Sequence, residues 1–118
     1  MQHNESRLQS SCVTWFRYQY PKLSKLLIAV PNGGKRRIRE ATIMKAEGVT
    51  AGVADLLLLT PRHGAGCLGI EMKIGKAKQS ANQLEWQERF EQGGNRYEVV
   101  RTLDEFMSVI RHYLDEGK

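Results

Sequence analysis

The chain has 118 residues, of which 41% are hydrophobic and 26% are charged, and its formal net charge is +5. This size predicts one domain over residues 1–118 and excludes a fold with two separate large cores. The apolar runs, such as residues 56–59, are too short to cross a bilayer, so we expect no membrane partner. The basic charge instead favours an anionic partner, with nucleic acid first.

Apolar spacing predicts the elements in the first half of the chain. Residues 5–20 carry apolar side chains at helical spacing, which predicts an amphipathic helix that ends at Pro21. A short apolar run at 26–30 predicts a strand, and the Pro-Asn-Gly-Gly sequence at 31–34 predicts a loop. A basic segment from residue 35 opens a second predicted helix, which runs to about residue 47 and ends at Gly48.

The second half predicts three strands and two helices. An apolar strand headed by Asp55 and a second strand at 66–74 are joined by a predicted hairpin turn at 60–64, so they should be antiparallel neighbours. Capping boxes at 80–83 and 102–105 each begin a predicted helix, with a strand at 97–101 between them. The predicted order α-β-α-β-β-α-β-α gives an α/β fold with a mixed four-stranded sheet flanked by helices.

Charged residues interrupt the two central predicted strands. Asp55 heads the first, and Glu71 and Lys73 lie two residues apart in the second. Because side chains alternate across a strand, Glu71 and Lys73 share one face. Buried charges are costly unless they are paired or hold a metal. The sequence therefore leaves two alternatives, an internal ion pair of Lys73 with one of the acids, or a metal site.

The metal alternative favours Mg²⁺, which prefers oxygen ligands and usually keeps several waters. Asp55 and Glu71 would each provide a carboxylate oxygen, and Met72 would provide its backbone carbonyl. Such an ion polarises a phosphate and lowers the pKa of a bound water that attacks it. Lys73 would orient that water or stabilise charge on the phosphate in the transition state. Mn²⁺ is expected to substitute for Mg²⁺.

The order of these residues resembles that of a known group of nucleases. The pattern of Gly-x-x-Asp, a hairpin, Glu-x-Lys and a helix is similar to the PD-(D/E)xK nuclease superfamily, and within it to the virus-type replication-repair nuclease (VRR-NUC) family. The resemblance covers about residues 5–112. The residues that carry it are 31–34, Gly48, 52–56, 71–73, Ser80, Gln83 and Trp86. One departure is Ala54, which stands where the superfamily has proline.

The resemblance implies a restriction-endonuclease-like fold and assigns roles to individual residues. It implies that Asp55, Glu71 and the Met72 carbonyl hold the metal and that Lys73 is the catalytic lysine. Glu5 matches an acidic residue that can face the metal, although a solvated first-turn residue is the alternative. Gln83 matches a glutamine near the active site, in addition to its place in the capping box.

Basic residues on both sides of the candidate site predict contacts with DNA phosphates. Lysine and arginine neutralise phosphates without reading sequence. A charged helix start can also be simply solvated, and Asn32 either lines the phosphate path or is a turn residue. The predicted DNA-binding residues are Asn32, Lys35, Arg36, Arg37, Arg39, Lys76 and Lys78.

The resemblance implies a Mg²⁺-dependent DNA endonuclease that acts on branched DNA as a homodimer, like a Holliday-junction resolvase. Two sites related by two-fold symmetry suit a junction of paired strands. The alternatives are a monomeric flap or single-strand nuclease and a non-catalytic nucleic-acid-binding module. The expected location is the cytoplasm of a bacterial cell, with a phage or prophage as a source.

Overall fold

The computed structural model describes residues 3–31 and 38–115. Four predicted DNA-binding residues, Asn32, Lys35, Arg36 and Arg37, lie outside the described residues. Arg39 lies within a helix, but its side chain is outside the description. Contacts of this basic segment with DNA therefore stay predictions.

The helices and strands follow the predicted order, with one addition. They are α1 (His3–Gln19), a 3₁₀ helix (Pro21–Leu26), β1 (Leu27–Ala29), α2 (Ile38–Ala46), β2 (Leu56–Leu58), β3 (Leu68–Met72), α3 (Ala81–Gln92), β4 (Arg96–Val100) and α4 (Leu103–Asp115). The 3₁₀ helix was not expected from the sequence, which predicts only that α1 ends at Pro21. Within the described part of the chain, no helix is long and apolar enough to span a membrane.

The strands form one mixed sheet in the order β1-β2-β3-β4. β2 pairs antiparallel with both β1 and β3, whereas β3 and β4 are parallel. The predicted α/β class, with a mixed four-stranded sheet flanked by helices, is confirmed. The parallel pair places β4 beside the strand that carries Glu71, with Gly69 opposite Tyr97 and Glu71 opposite Val99.

One face of the sheet carries the hydrophobic core. Side chains alternate between the two faces along β3, so Leu68, Ile70 and Met72 all lie on this face, and all three are fully buried. α1 contributes Cys12 and Phe16, and α4 contributes apolar side chains from its inner surface. Burying one large apolar side chain contributes about 1.5–3 kcal/mol, so this face supplies most of the apolar stabilisation.

The opposite face carries α3, and two glycines allow it to approach closely. A Cβ atom at Gly69 would lie 2.8 Å from the ring of Phe90, so β3 has no space for a side chain at this position. Gly52 has a φ of +86°, and a Cβ there would clash with the backbone carbonyl of Asn82. The loop that leads to Asp55 therefore lies directly against the first turn of α3.

The two predicted capping boxes differ in detail. At α3 both hydrogen bonds between Ser80 and Gln83 are present, so this capping box is confirmed. At α4 the backbone N–H of Glu105 donates to the Thr102 hydroxyl at 3.1 Å. The Glu105 carboxylate accepts instead from the backbone N–H of Arg101 at 2.7 Å, one residue before the position that a capping box uses.

Candidate active site

Asp55 lies where β2 begins and contacts the end of β3. Its Oδ2 accepts a hydrogen bond of 2.7 Å from the backbone N–H of Met72. In an antiparallel pair, the N–H and the C=O of one residue both point toward the same neighbouring strand. Since the N–H of Met72 points toward Asp55, we expect the Met72 carbonyl to point toward it as well. The structure therefore brings the Asp55 carboxylate beside the backbone of the Glu-x-Lys segment.

Glu71 is almost completely buried beside Asp55. The pKa of Glu71 is raised to about 8, first by burial and then by the charge of Asp55 and a hydrogen bond with it. Lys73 opposes this shift, and the charge of Glu5 adds to it. The carboxyl groups of Asp55 and Glu71 thus adjoin, and a cation between them would relieve their repulsion.

Lys73, the residue that follows β3, forms an ion pair with Glu71. Its Nζ lies 3.8 Å from Oε2 of Glu71, and both side chains are buried. The ion pair predicted as one alternative is therefore present. It does not exclude the other alternative, because one lysine beside two acids leaves a surplus of negative charge when both acids are ionised.

Gln83 joins the capping box of α3 to Glu71. Its Oε1 accepts a hydrogen bond of 2.8 Å from the backbone N–H of Ser80. Its Nε2 donates to Oε2 of Glu71 at 3.0 Å. One side chain therefore makes the contacts of both predicted roles, and it ties the start of α3 to the candidate metal ligand.

The donor set fits Mg²⁺ without a third carboxylate. Glu5 is half-buried in the first turn of α1 and acts on Glu71 through its charge. Among the described residues, no group of three or more His, Cys, Asp or Glu side chains has a metal-holding arrangement. Mg²⁺ is commonly held by one or two carboxylates with water and phosphate oxygens, so Asp55, Glu71 and the Met72 carbonyl are sufficient. A ligand role for Glu5 stays a prediction.

The basic loop after Lys73 is held by an arginine that sequence reasoning missed. Lys76 and Lys78 are exposed on this loop. Nη1 of Arg101 donates to the carbonyl oxygens of Gly75 at 2.9 Å and Ala77 at 2.8 Å. Arg101 thereby fixes the backbone that presents both lysines. In the sequence Arg101 is only the last residue of a predicted strand, which gives no signal of this contact.

Tyr97 and Gln79 were also missed as neighbours of the site. Tyr97 Oη lies 3.5 Å from Oε1 of Glu71, and Gln79 Nε2 lies 3.0 Å from Tyr97 Oη. Tyr97 stands in a mostly apolar predicted strand and looks like a core residue. Only the parallel pairing of β4 with β3 places its side chain on the Glu71 face.

Comparisons with known proteins identify the family. The model of the VRR-NUC domain matches residues 1–103. A solved structure described as a VRR_NUC domain protein is 27% identical in sequence, with a TM-score of 0.84 over 100% of this chain and 93% of its own. No match is found among curated proteins. VRR-NUC domains are nuclease domains of the PD-(D/E)xK type, and this chain belongs to the VRR-NUC family.

Proposed function

We propose that this VRR-NUC protein is a Mg²⁺-dependent DNA endonuclease that cuts branched DNA as a homodimer, in the manner of a Holliday-junction resolvase. The observation that carries the metal-dependent chemistry is the burial of Asp55, Glu71 and Lys73 together, with two acids against one base. When bound, Mg²⁺ supplies Lewis-acid polarisation of the phosphate and a more acidic water. Mn²⁺ is expected to replace it.

The chain's own residues hold and orient the reacting groups. Asp55, Glu71 and the Met72 carbonyl would hold the ion, while Gln83 fixes one carboxylate oxygen of Glu71. The Lys73 ammonium is confined by burial and by its ion pair, which supports a role for it in stabilising negative charge on the phosphate. Removing one such preorganised group typically lowers the rate by about 10²–10³-fold.

The proposed DNA path passes the exposed loop that carries Lys76 and Lys78. This loop follows Lys73 directly, and Arg101 holds its backbone in place. Phosphate contacts here would add affinity that weakens steeply with salt, without reading sequence. Asn32, Lys35, Arg36, Arg37 and Arg39 are proposed to extend the same path.

A second copy is proposed to cover an apolar patch at the β1 edge of the sheet. Leu26, Ile28 and Leu59 are 38%, 39% and 44% exposed. The backbone N–H of Leu59 donates to the carbonyl of Leu26 at 2.9 Å, so these two residues lie side by side, and Ile28 follows two residues after Leu26. Clustered exposed apolar residues are typical of interaction sites. A two-fold pair of active sites would match the symmetry of a four-way junction.

The decisive experiment compares cleavage of four-way junction, flap, single-stranded and linear duplex DNA, with and without Mg²⁺. Sedimentation of the free protein gives its oligomeric state. Mg²⁺-dependent junction cleavage by a dimer would support the proposal, whereas flap cleavage by a 13.5 kDa monomer would favour the alternative nuclease. Salt-sensitive binding with no Mg²⁺-dependent product would indicate a binding module. Unchanged cutting by Asp55→Ala or Glu71→Ala would exclude these residues from the mechanism.

A further inference from the structure

We infer that Tyr97 is a positioning residue for Glu71, and that Gln79 sets the direction in which the Tyr97 hydroxyl donates. The inference rests on the proposed role of Glu71 as a metal ligand. It concerns hydrogen bonds made by neutral side chains on the α3 face of the sheet, outside the set of metal ligands and the catalytic lysine.

Tyr97 is held rigidly beside Glu71. It is 5% exposed and lies opposite Gly69 in the parallel pair, so its side chain projects from the same face as Glu71. Its ring packs at 6.2 Å from the ring of Trp86 and at 6.5 Å from that of Phe90. Because these rings belong to α3, the helix closes over Tyr97 and keeps its hydroxyl at the carboxylate.

The hydrogen-bond pattern around Gln79 fixes the polarity of the Tyr97 hydroxyl. Gln79 Nε2 donates to Oη of Tyr97 at 3.0 Å and to Oε1 of Gln87 at 2.9 Å. An amide nitrogen has two hydrogens and no acceptor lone pair, so both of its hydrogens are used. The Tyr97 oxygen therefore accepts from Gln79, and its own hydrogen is directed to Oε1 of Glu71.

Each carboxylate oxygen of Glu71 consequently faces one neutral donor. Tyr97 serves Oε1, and Gln83 serves Oε2. Neutral donors orient a carboxylate without cancelling the charge that attracts a cation. The 3.5 Å contact of Tyr97 is long, and we expect it to shorten in the loaded site, as catalytic hydrogen bonds do.

The same pattern links the basic loop to the candidate ligand. Gln79 follows Lys76 and Lys78 closely in the chain, and it reaches Glu71 through the Tyr97 hydroxyl. Groups that orient metal ligands typically change metal affinity or activity by about 10–100-fold when they are removed. We expect Tyr97 to have an effect of this size.

Tyr97→Phe tests the inference against a matched control, Tyr113→Phe. Tyr113 is 1% exposed and donates its hydroxyl hydrogen to the Thr60 carbonyl at 2.6 Å, on the core side of the sheet. Titration calorimetry with Mn²⁺ alone should show about 10–100-fold weaker binding for Tyr97→Phe and unchanged binding for Tyr113→Phe. With a DNA substrate, kcat should fall for Tyr97→Phe while KM for DNA is unchanged.

A second variant, Gln79→Met, keeps the tyrosine and removes the group that orients it. Its Mn²⁺ affinity should fall by less than that of Tyr97→Phe. The double variant should bind Mn²⁺ as weakly as Tyr97→Phe alone, because Gln79 acts on Glu71 only through the Tyr97 hydroxyl. If Tyr97→Phe does not fold, wild-type affinity in Gln79→Met overturns the inference and weakened affinity supports it.

Mn²⁺ binding separates the loss of the Tyr97 contact from the absence of the metal site. Wild-type Mn²⁺ affinity in Tyr97→Phe, or an equal loss in both tyrosine variants, would overturn the role of Tyr97 while the metal site remains. A wild-type protein that neither binds Mn²⁺ nor cuts DNA would overturn the metal site itself, and the role of Tyr97 with it.

Discussion

α3 and α4 cover opposite faces of one sheet and are attached by different interactions. α4 buries four side chains, Phe106, Ile110, Tyr113 and Leu114, in the apolar core. None of the 12 residues of α3, all of which the structure describes, is buried. α3 is attached to the sheet by the half-buried rings of Trp86 and Phe90, which pack near Tyr97, and by the hydrogen bond from Gln83 to Glu71. The α4 face therefore supplies stability, while the α3 face organises the candidate chemistry.

The largest expected effect separates activity from stability on the α3 face. Glu71→Gln and Asp55→Asn should each lower kcat by about 10²–10³-fold, because each removes a charge that the proposed metal site requires. The free energy of unfolding should be unchanged or higher, since a neutral isostere removes one of two adjoining buried acids. Cleavage rates and urea unfolding measure the two effects. Normal cleavage by either variant would contradict the assignment.

The opposite pattern is expected on the α4 face. Ile110→Ala should lower the free energy of unfolding by about 2–5 kcal/mol, because it leaves a cavity in a fully buried part of the core. At a temperature where the variant is still folded, its kcat should match the wild type. A large loss of kcat in the folded variant would show that the two faces are not separable in this way.

Stability should depend on pH through the α3 face. The folded protein holds the Glu71 proton up to a pKa of about 8, while the unfolded chain releases it near 4.5, so the folded state binds more protons between these values. The contribution of Glu71 to the free energy of unfolding is therefore largest below pH 4.5, and it decreases as the pH rises toward 8. Urea unfolding without metal should show this fall relative to Glu71→Gln, and added Mn²⁺ should reverse it. If the difference in the free energy of unfolding between the wild type and Glu71→Gln did not change with pH, this would contradict the raised pKa of Glu71.

The smallest effects come from the two helix caps. Ser80→Ala and Thr102→Ala should each lower the free energy of unfolding by about 1 kcal/mol, because each removes a side-chain cap. Only Ser80→Ala should also lower kcat, since its partner Gln83 contacts Glu71. Equal kcat values for the two variants would mean that the α3 cap does not position the site.

The buried charges were predictable because they conflict with their surroundings. Asp55, Glu71 and Lys73 stand in apolar strands, and alternation alone places Glu71 and Lys73 on one face. The Ser80 capping box likewise has a local pattern that needs no knowledge of the fold. Local rules were therefore sufficient for the strands, for most helix bounds and for the set of charged candidates.

Tyr97, Gln79 and Arg101 could not be found in this way. Tyr97 is unremarkable in its strand until the parallel register with β3 sets its face. Arg101 holds a loop 24 to 26 residues away through backbone carbonyls, which leave no trace in the sequence of that loop. Their contacts depend on which strand lies beside β3, and that choice is made by the tertiary fold.

The most direct test is anomalous diffraction from crystals of the wild-type protein grown with Mn²⁺. We predict an anomalous peak between the carboxylates of Asp55 and Glu71, within ligand distance of the Met72 carbonyl, and no such peak in Glu71→Gln. A wild-type protein that cuts DNA under the same Mn²⁺ concentration, yet shows its ion elsewhere or none between these two carboxylates, would contradict the proposed site.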